Sequence, residues 1–296
     1  MEQFFNDFPI RFTKEDGEKL ISGIRSKIDN HEYDVDVLKL LFSCIDLTSL
    51  NTTDSAFSIR EFCEKVNRFS AQFPAMPNVG AVCVFPVFAP VLKNSLKVGT
   101  VNKAVVAGGF PSSQTFTDLK VDETMKAVDF GANEIDMVIS VGEFLDENYE
   151  FVLEEVRMIK EAAGEAHLKV ILETGALETP ENIWRASLLA MEGGGDFIKT
   201  STGKIPVSAT PEAAYVMLQA IKSFHTKKGV MTGFKPAGGV VTTKDALMYY
   251  FLVKEILGEK WLNNKWFRLG ASRLANNLLS DIQTIEKGEP VTVTYF

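Results

Sequence analysis

Cysteine and histidine are scarce in this chain: three of each among 296 residues. Cys44, Cys63 and Cys83 cannot all pair, and their gaps of 19 and 20 residues match no metal-binding spacing. His31, His167 and His225 are scattered, so they offer no ligand cluster for a transition metal and read as surface or loop residues. No apolar run approaches the ~18 residues that would suggest a membrane span. The opening Met1-Glu2-Gln3-Phe4-Phe5-Asn6-Asp7 lacks the basic and apolar segments of a secretion signal. No basic cluster stands out against a net charge of −8, which argues against nucleic acid as a partner. The expectation is a reducing, cytoplasmic setting with no metal, no membrane and no nucleic acid.

What is present is an ordinary globular composition, 46% hydrophobic and 24% charged, on a length that suits one large α/β barrel or at most two domains. From about residue 45 onward, short β-rich runs alternate with longer helical patterns. The runs are 44–47, 79–85, 103–107, 134–139, 168–173, 197–200, 230–235 and 266–270. Helix starts are marked by Asp54 before Ala56, by Thr179-Pro180-Glu181, by Thr210-Pro211-Glu212 and by Thr243-Lys244-Asp245. Eight strands with intervening helices predict an α/β fold, a (β/α)8 TIM barrel with an N-terminal helical extension. A doubly wound sheet is the alternative, but no Gly-x-Gly-x-x-Gly follows the first strand. The expected boundaries are an extension over 1–44, a barrel over 45–288 and a tail over 289–296. Two helical patterns in the extension, around Lys14–Ile28 and Val35–Phe42, either cap the barrel's N-terminal end or form a subunit contact, with a homodimer as the candidate assembly.

Two lysines carry the strongest chemical signal. Lys199 sits in Phe197-Ile198-Lys199-Thr200-Ser201-Thr202-Gly203-Lys204, and Lys235 in Gly233-Phe234-Lys235-Pro236-Ala237-Gly238-Gly239. An unpaired ammonium inside a strand costs several kcal/mol. The 36-residue separation is about one strand-helix-strand step, so the two side chains can enter one pocket. At neutral pH only about one free lysine amine in 2,500 is unprotonated. A second ammonium ~4 Å away, at an effective dielectric of about 20, repels by ~4 kcal/mol, or about three pKa units. Desolvation acts in the same direction, and the neutral amine that results attacks a carbonyl to form a Schiff base. The plainer reading, two strand-end lysines snorkelling to solvent, suits one such lysine better than a pair with glycine turns after both.

Asp136 lies within the fourth run, on one face with Glu134 and Val138, and needs a cationic partner there; the paired lysines supply one. It is the candidate for proton transfer. Asp46 and Lys169 interrupt other apolar runs and extend the charged network, as structural or catalytic members. Thr202, with Thr200 and Ser201, either binds a substrate hydroxyl or satisfies loop backbone. Three glycine-bearing strand ends, Gly203-Lys204, Gly238-Gly239 and Gly270-Ala271-Ser272-Arg273, form a candidate phosphate site, because barrels often bind phosphate after strands seven and eight.

At these residues the chain resembles the 2-deoxyribose-5-phosphate aldolase family of class I aldolases, from Ile45-Asp46-Leu47-Thr48 to about Leu279. The segments Phe197–Lys204 and Gly233–Gly239 match the family's signatures. The resemblance implies a (β/α)8 barrel that reversibly cleaves 2-deoxy-D-ribose 5-phosphate into D-glyceraldehyde 3-phosphate and acetaldehyde, in deoxyribose-phosphate catabolism. By matching position it implies Lys199 as the Schiff-base lysine, Lys235 as the lysine that perturbs it, and Asp136 as the acid/base. Asp46 and Lys169 match polar residues of the surrounding network, and Cys83 matches a cysteine near the site. No cofactor is implied, and the partners are a phosphorylated sugar and small aldehydes. Two positions depart from the family pattern: Val241 stands where arginine is common, and Arg273 where a small residue is common. Rival readings are a transaldolase-like lyase with ketose donors, a barrel that binds phosphate without chemistry, and a metal-dependent aldolase.

Overall fold

The computed structural model describes residues 1–30 and 33–296, so His31 lies outside the described residues. Eight short strands pair in parallel: β1 (Ile45–Thr48), β2 (Ala81–Val84), β3 (Asn102–Ala107), β4 (Glu134–Val138), β5 (His167–Ile171), β6 (Phe197–Lys199), β7 (Gly233–Lys235) and β8 (Leu269–Ala271). Their order is β7-β6-β5-β4-β3-β2-β1-β8, and single bridges from Phe234 to Phe267 and from Ala237 to Gly270 join the two ends. With helices between successive strands this is a (β/α)8 barrel, as the alternation of patterns predicts.

Strand periodicity divides the residues into two sets. Ile45, Leu47, Val105, Ile135, Met137, Leu168, Val170, Ile198 and Phe234 pack into one continuous core with the surrounding helices. The alternate residues face the barrel axis. On β2 and β3 these are small or apolar: Ala81, Cys83, Ala104 and Val106. On the other strands Asp46, Glu134, Asp136, Lys169, Lys199 and Lys235 are all buried. Long charged side chains thus occupy the volume that small residues on the opposite wall leave open.

The second, seventh and eighth strands begin later than their apolar runs suggest, the second at Ala81 rather than Val79. The seventh begins at Gly233 rather than Val230, because Gly229, in the left-handed conformation, ends the helix Pro211–Lys228 and the chain must first return to the sheet. Gly233 itself is needed where the Phe197 ring crosses it; a Cβ there would lie 2.3 Å from that ring. In the eighth run, Trp266–Arg268 hydrogen-bonds to Phe234 without forming a regular strand. The helix starts at Thr179 and Thr210 are as expected, each threonine accepting a backbone N–H. Thr242 caps the helix Thr243–Leu257 in a capping box with Asp245. Asp54 does not cap; Ser55 does, paired with Ser58, while the Asp54 carboxylate accepts from Ser49 and Asn51 and fixes the loop after β1.

The helices Lys14–Asn30 and Val35–Ser43 pack against the outer helices Pro211–Lys228, Thr243–Leu257 and Arg273–Lys287. The last residues run back along Arg273–Lys287, with Val291, Val293 and Tyr295 N–H groups on Thr284, Ser280 and Asn276. Among the described residues no helix is long and apolar enough to cross a membrane.

A fully buried ion pair fixes the barrel's rim next to β4. Lys120 Nζ donates to Glu155 Oε1 (2.6 Å), Ser113 Oγ (2.7 Å) and Ser140 Oγ (2.8 Å), and Ser113 Oγ donates to Val138 O at the end of β4. Breaking one side of such a pair strands the other charge. Lys120→Met is expected to destabilise the fold by ~3–5 kcal/mol. Lys120→Met combined with Glu155→Met should cost markedly less, as read by chemical denaturation of the single and double variants.

Candidate functional site

Inside the barrel, three ammonium groups share one carboxylate. Asp136 Oδ2 accepts from Lys199 Nζ and Lys235 Nζ, each at 2.7 Å, and Asp136 Oδ1 accepts from Lys169 Nζ at 2.9 Å. A common acceptor limits the Lys199–Lys235 separation to at most twice that distance. Lys235 Nζ also donates to Asp46 Oδ2, and Lys169 Nζ also meets Glu134 Oε2 at 2.6 Å. Below them Arg268 reaches Asp46 Oδ1 at 2.6 Å and Glu134 Oε1 at 2.8 Å. The strand pattern predicts Asp136, Lys199, Lys235, Asp46 and Lys169 as neighbours, and the barrel brings all five together.

Register separates Lys199 from Lys169. Lys199 pairs across with Lys235 and with Ile171, whereas Lys169 pairs with Phe197, one inward position lower. Of the two lysines at the upper level, Lys199 is the one that opens on the mouth. It is 4% exposed, while Lys169, Lys235, Asp136 and Asp46 are at 0%. Gly270 leaves room for this packing, since a Cβ there would meet the Ala237 Cβ at 2.6 Å and the Lys235 Cε at 3.3 Å.

Lys199 is the one member of the cluster lining a cavity of about 380 Å³ at the C-terminal ends of the strands. Its walls include Thr202, Gly203 and Lys204 after β6, Gly238 and Gly239 after β7, and Gly270, Ser272 and Arg273 at β8. The expected phosphate residues thus meet in one place. Gly203, Gly238 and Gly239 have φ between 76° and 79°, a conformation suited to glycine, which turns backbone towards the cavity. Val241 lines the same wall as Arg273. Arg273 has no hydrogen-bond or ion-pair partner among the described residues. Lys204 Nζ donates to Leu50 O across the mouth.

The cluster separates the lysines electrostatically. Burial penalises the Lys199 ammonium; Asp136 supports it and Lys235 repels it, and the amine is held below the ordinary lysine value. Burial acts on Lys235 in the same sense, but Asp136 and Asp46 outweigh it and its pKa is raised. Lys169, buried among Asp136, Glu134 and Asp46, is raised as well. Burial alone would push the Asp136 carboxyl up, yet Lys169, Lys199 and Lys235 hold it well below the usual range. Burial pushes the Cys83 thiol up to about 11.

Three polar residues escaped the sequence pattern as members of this site. Glu134 and Arg268 carry the lower half of the network. Their signal was available, since each interrupts an apolar run as Lys199 does. Glu173 is a different case: it lies two residues beyond β5 in the left-handed region (φ 57°) and accepts from Thr202 N at 3.1 Å and Thr202 Oγ1 at 2.5 Å. Nothing in the sequence marks a glutamate for that conformation. Thr202 is therefore occupied by Glu173 and by Lys204 N, and Thr200 by the Ala237 backbone. The tail does not enter the cavity: the Tyr295 hydroxyl donates to Lys65 O and its ring packs on Phe69 and Phe73. His167 is exposed at the start of β5, and His225 packs against Trp261, both away from the cavity.

A model of the DeoC/LacD family of aldolases matches residues 40–250. The deoxyribose-phosphate aldolase of Homo sapiens is 43% identical over 254 residues, which are 81% of this chain and 77% of that one. Among solved structures, the aldolase QR15 aligns with a TM-score of 0.67 at 28% identity, covering 84% of this chain and 99% of its own. The deoxyribose phosphate aldolase of Aeropyrum pernix, described as a unique tetramer, aligns with a TM-score of 0.63 at 21% identity over 86% of this chain and 99% of its own, a likeness of fold. The length of the family match, together with the sequence identity to the human relative, shows that this chain belongs to the DeoC/LacD family of aldolases.

Proposed function

We propose that the protein is a deoxyribose-phosphate aldolase that works through a Schiff base on Lys199. The observation that carries the reading is that Lys199 alone combines membership of the charged cluster with access to the cavity. A nucleophilic amine must be both neutral and reachable. Lys235 and Lys169 are held charged and closed off from the cavity.

The chemistry follows from those positions. Neutral Lys199 adds to the aldehyde carbon C1 of the open-chain sugar, and loss of water gives a protonated imine. The C2–C3 bond then breaks as the C3 hydroxyl proton passes through water to Asp136. The electron pair flows to the iminium, leaving an enamine on Lys199 and releasing D-glyceraldehyde 3-phosphate. Protonation of the enamine carbon and hydrolysis release acetaldehyde and restore the amine. The iminium is itself the electron sink, so the proposal includes no metal and no cofactor. Asp136 suits proton transfer because it touches both Lys199 and Lys235 through one oxygen.

The far wall of the cavity supports a phosphate. The first turn of the helix Arg273–Lys287 opens there, and its N-cap Ser272 makes no side-chain cap, so backbone N–H groups remain to meet an anion. Lys204 and Arg273 add positive charge. Arg273 stands one helical turn before Asn277, whose side chain donates to Val241 O, so the guanidinium rises from the surface that carries Val241. In this reading Arg273 supplies the charge that valine at 241 lacks.

Three outcomes test the proposal. Acetaldehyde with borohydride should add an ethyl group to Lys199, found by mass spectrometry of the digested protein; labelling at Lys235 or Lys204 with Lys199 unmodified would overturn the assignment. Lys235→Leu removes the repelling charge and frees Asp136 to hold the Lys199 proton. Turnover at pH 7 should fall by roughly ten- to a thousandfold and recover as pH rises towards the ordinary lysine value of ~10.4. An unchanged rate at pH 7 would show that Lys235 is not the perturbing charge. A charge-assisted contact is worth ~1.5–3 kcal/mol, so Arg273→Ala should raise KM for 2-deoxyribose 5-phosphate roughly ten- to a hundredfold, with kcat less affected. Unphosphorylated deoxyribose should show no such loss; equal losses on both sugars would exclude a phosphate contact.

A further inference from the structure

We propose that Arg268, which does not line the substrate cavity, is a positioning residue of the reaction. Its charge, passed through Asp46 and Glu134, makes the buried cluster one cation too rich and leaves Lys199 as the amine that releases its proton. The inference rests on Lys199 being the reacting amine and adds what selects it.

The argument is a count of charges in one desolvated volume. Four cations (Lys169, Lys199, Lys235, Arg268) meet three carboxylates (Asp46, Glu134, Asp136) through contacts of 3.4 Å or less. One positive charge is therefore uncompensated. In a buried site an uncompensated ammonium sheds its proton rather than remain charged. Arg268 cannot be the group that yields, because a guanidinium keeps its proton in proteins. Lys169 touches three carboxylates and Lys235 two, whereas Lys199 touches Asp136 alone and shares the oxygen it uses. The excess falls on Lys199.

Arg268 also decides how the carboxylates are divided. Its guanidinium takes Asp46 Oδ1 and both oxygens of Glu134, and its Nε donates to Asn264 O. Lys169 and Lys235 must then draw on Asp136. Without Arg268, Glu134 would be left to Lys169 and Asp46 to Lys235, and Asp136 would be free to hold the Lys199 proton. Beyond the cluster the loops after β5 and β6 add one charge of each sign, the Glu173 carboxylate, which accepts from Thr202 N and Oγ1, and the Lys204 ammonium, which donates to Leu50 O, so the excess of one stands. On the other walls β2 contributes the Cys83 thiol, which burial keeps neutral, and β3 contributes Ala104 and Val106. Arg268 is 2% exposed and is absent from the cavity wall, so it acts on the reaction only through its neighbours.

The test follows the initial rate of Lys199 ethylation by acetaldehyde and cyanoborohydride across the neutral-to-alkaline range, with the labelled peptide identified by mass spectrometry. Arg268→Met removes the excess charge and should move the midpoint of labelling up by about one pH unit or more. Glu134→Gln, nearly the same in shape, raises the excess and should move it down by a similar amount; this variant keeps the test open if Arg268→Met does not fold. Arg268→Met with Glu134→Gln restores an excess of one and should return the midpoint to the native value, and Arg268→Lys should hold it there. A purely structural role for Arg268 would give no such opposite shifts. Midpoints that do not move, or that move the same way in Arg268→Met and Glu134→Gln, would overturn the inference while Lys199 labelling in the native chain upholds the Schiff-base reading. Absence of Lys199 labelling in the native chain would instead remove the reading on which the inference rests, and the inference with it.

Discussion

The sharing of Asp136 among three ammonium groups is the constraint on which the rest of the site depends. A carboxylate has two oxygens, and here both are committed: one to Lys169, the other to Lys199 and Lys235 together. Three cations around one anion are tolerable in a buried volume only if further carboxylates support two of them and the third can lose its proton. Asp46 and Glu134 provide that support from below. The barrel makes the arrangement affordable, because parallel strands bring inward side chains from β1, β4, β5, β6 and β7 to adjacent levels while Ala81, Cys83, Ala104 and Val106 keep the opposite wall dry.

The same geometry separates two tasks that both need positive charge. At the base of the cavity, charge is crowded, and in the proposed reaction this makes one lysine a nucleophile. At the far wall, Lys204, Arg273 and the helix start at Ser272 line the cavity with charge and N–H groups, the proposed phosphate site. Crowding lowers an amine's pKa where water is excluded, and of the two lysines five residues apart it is Lys199 that is buried and Lys204 that is exposed.

Much of this was legible in the sequence because strand periodicity is a rule with period two. An ionic residue in an apolar strand must face the barrel axis or break the outer core, so Lys199, Lys235, Asp136, Asp46 and Lys169 announced themselves. Glu134 and Arg268 obey the same rule. Nothing in either run, however, shows that the two meet across the barrel. Glu173 was beyond reach, since its left-handed backbone is imposed by the turn after β5 and by Thr202, contacts far apart in the chain. The seventh and eighth strands start later than their runs because apolar content begins before the point where the backbone joins the sheet. The docking of Tyr295 against Phe69 and Phe73 depends on packing between the two ends of the barrel sequence, which no local pattern encodes.

The central claim is that one buried lysine, Lys199, holds its proton less tightly than any other lysine of the chain. Lysine labelled with ¹³C at Cε and ¹⁵N at Nζ allows each amine to be titrated individually by NMR, with Lys199→Arg assigning the resonance. One resonance should titrate well below the ~10.4 of free lysine and vanish in that variant, while those of Lys169 and Lys235 stay in the charged form throughout. A Lys199 resonance that titrates at or above the ordinary lysine value would contradict the account.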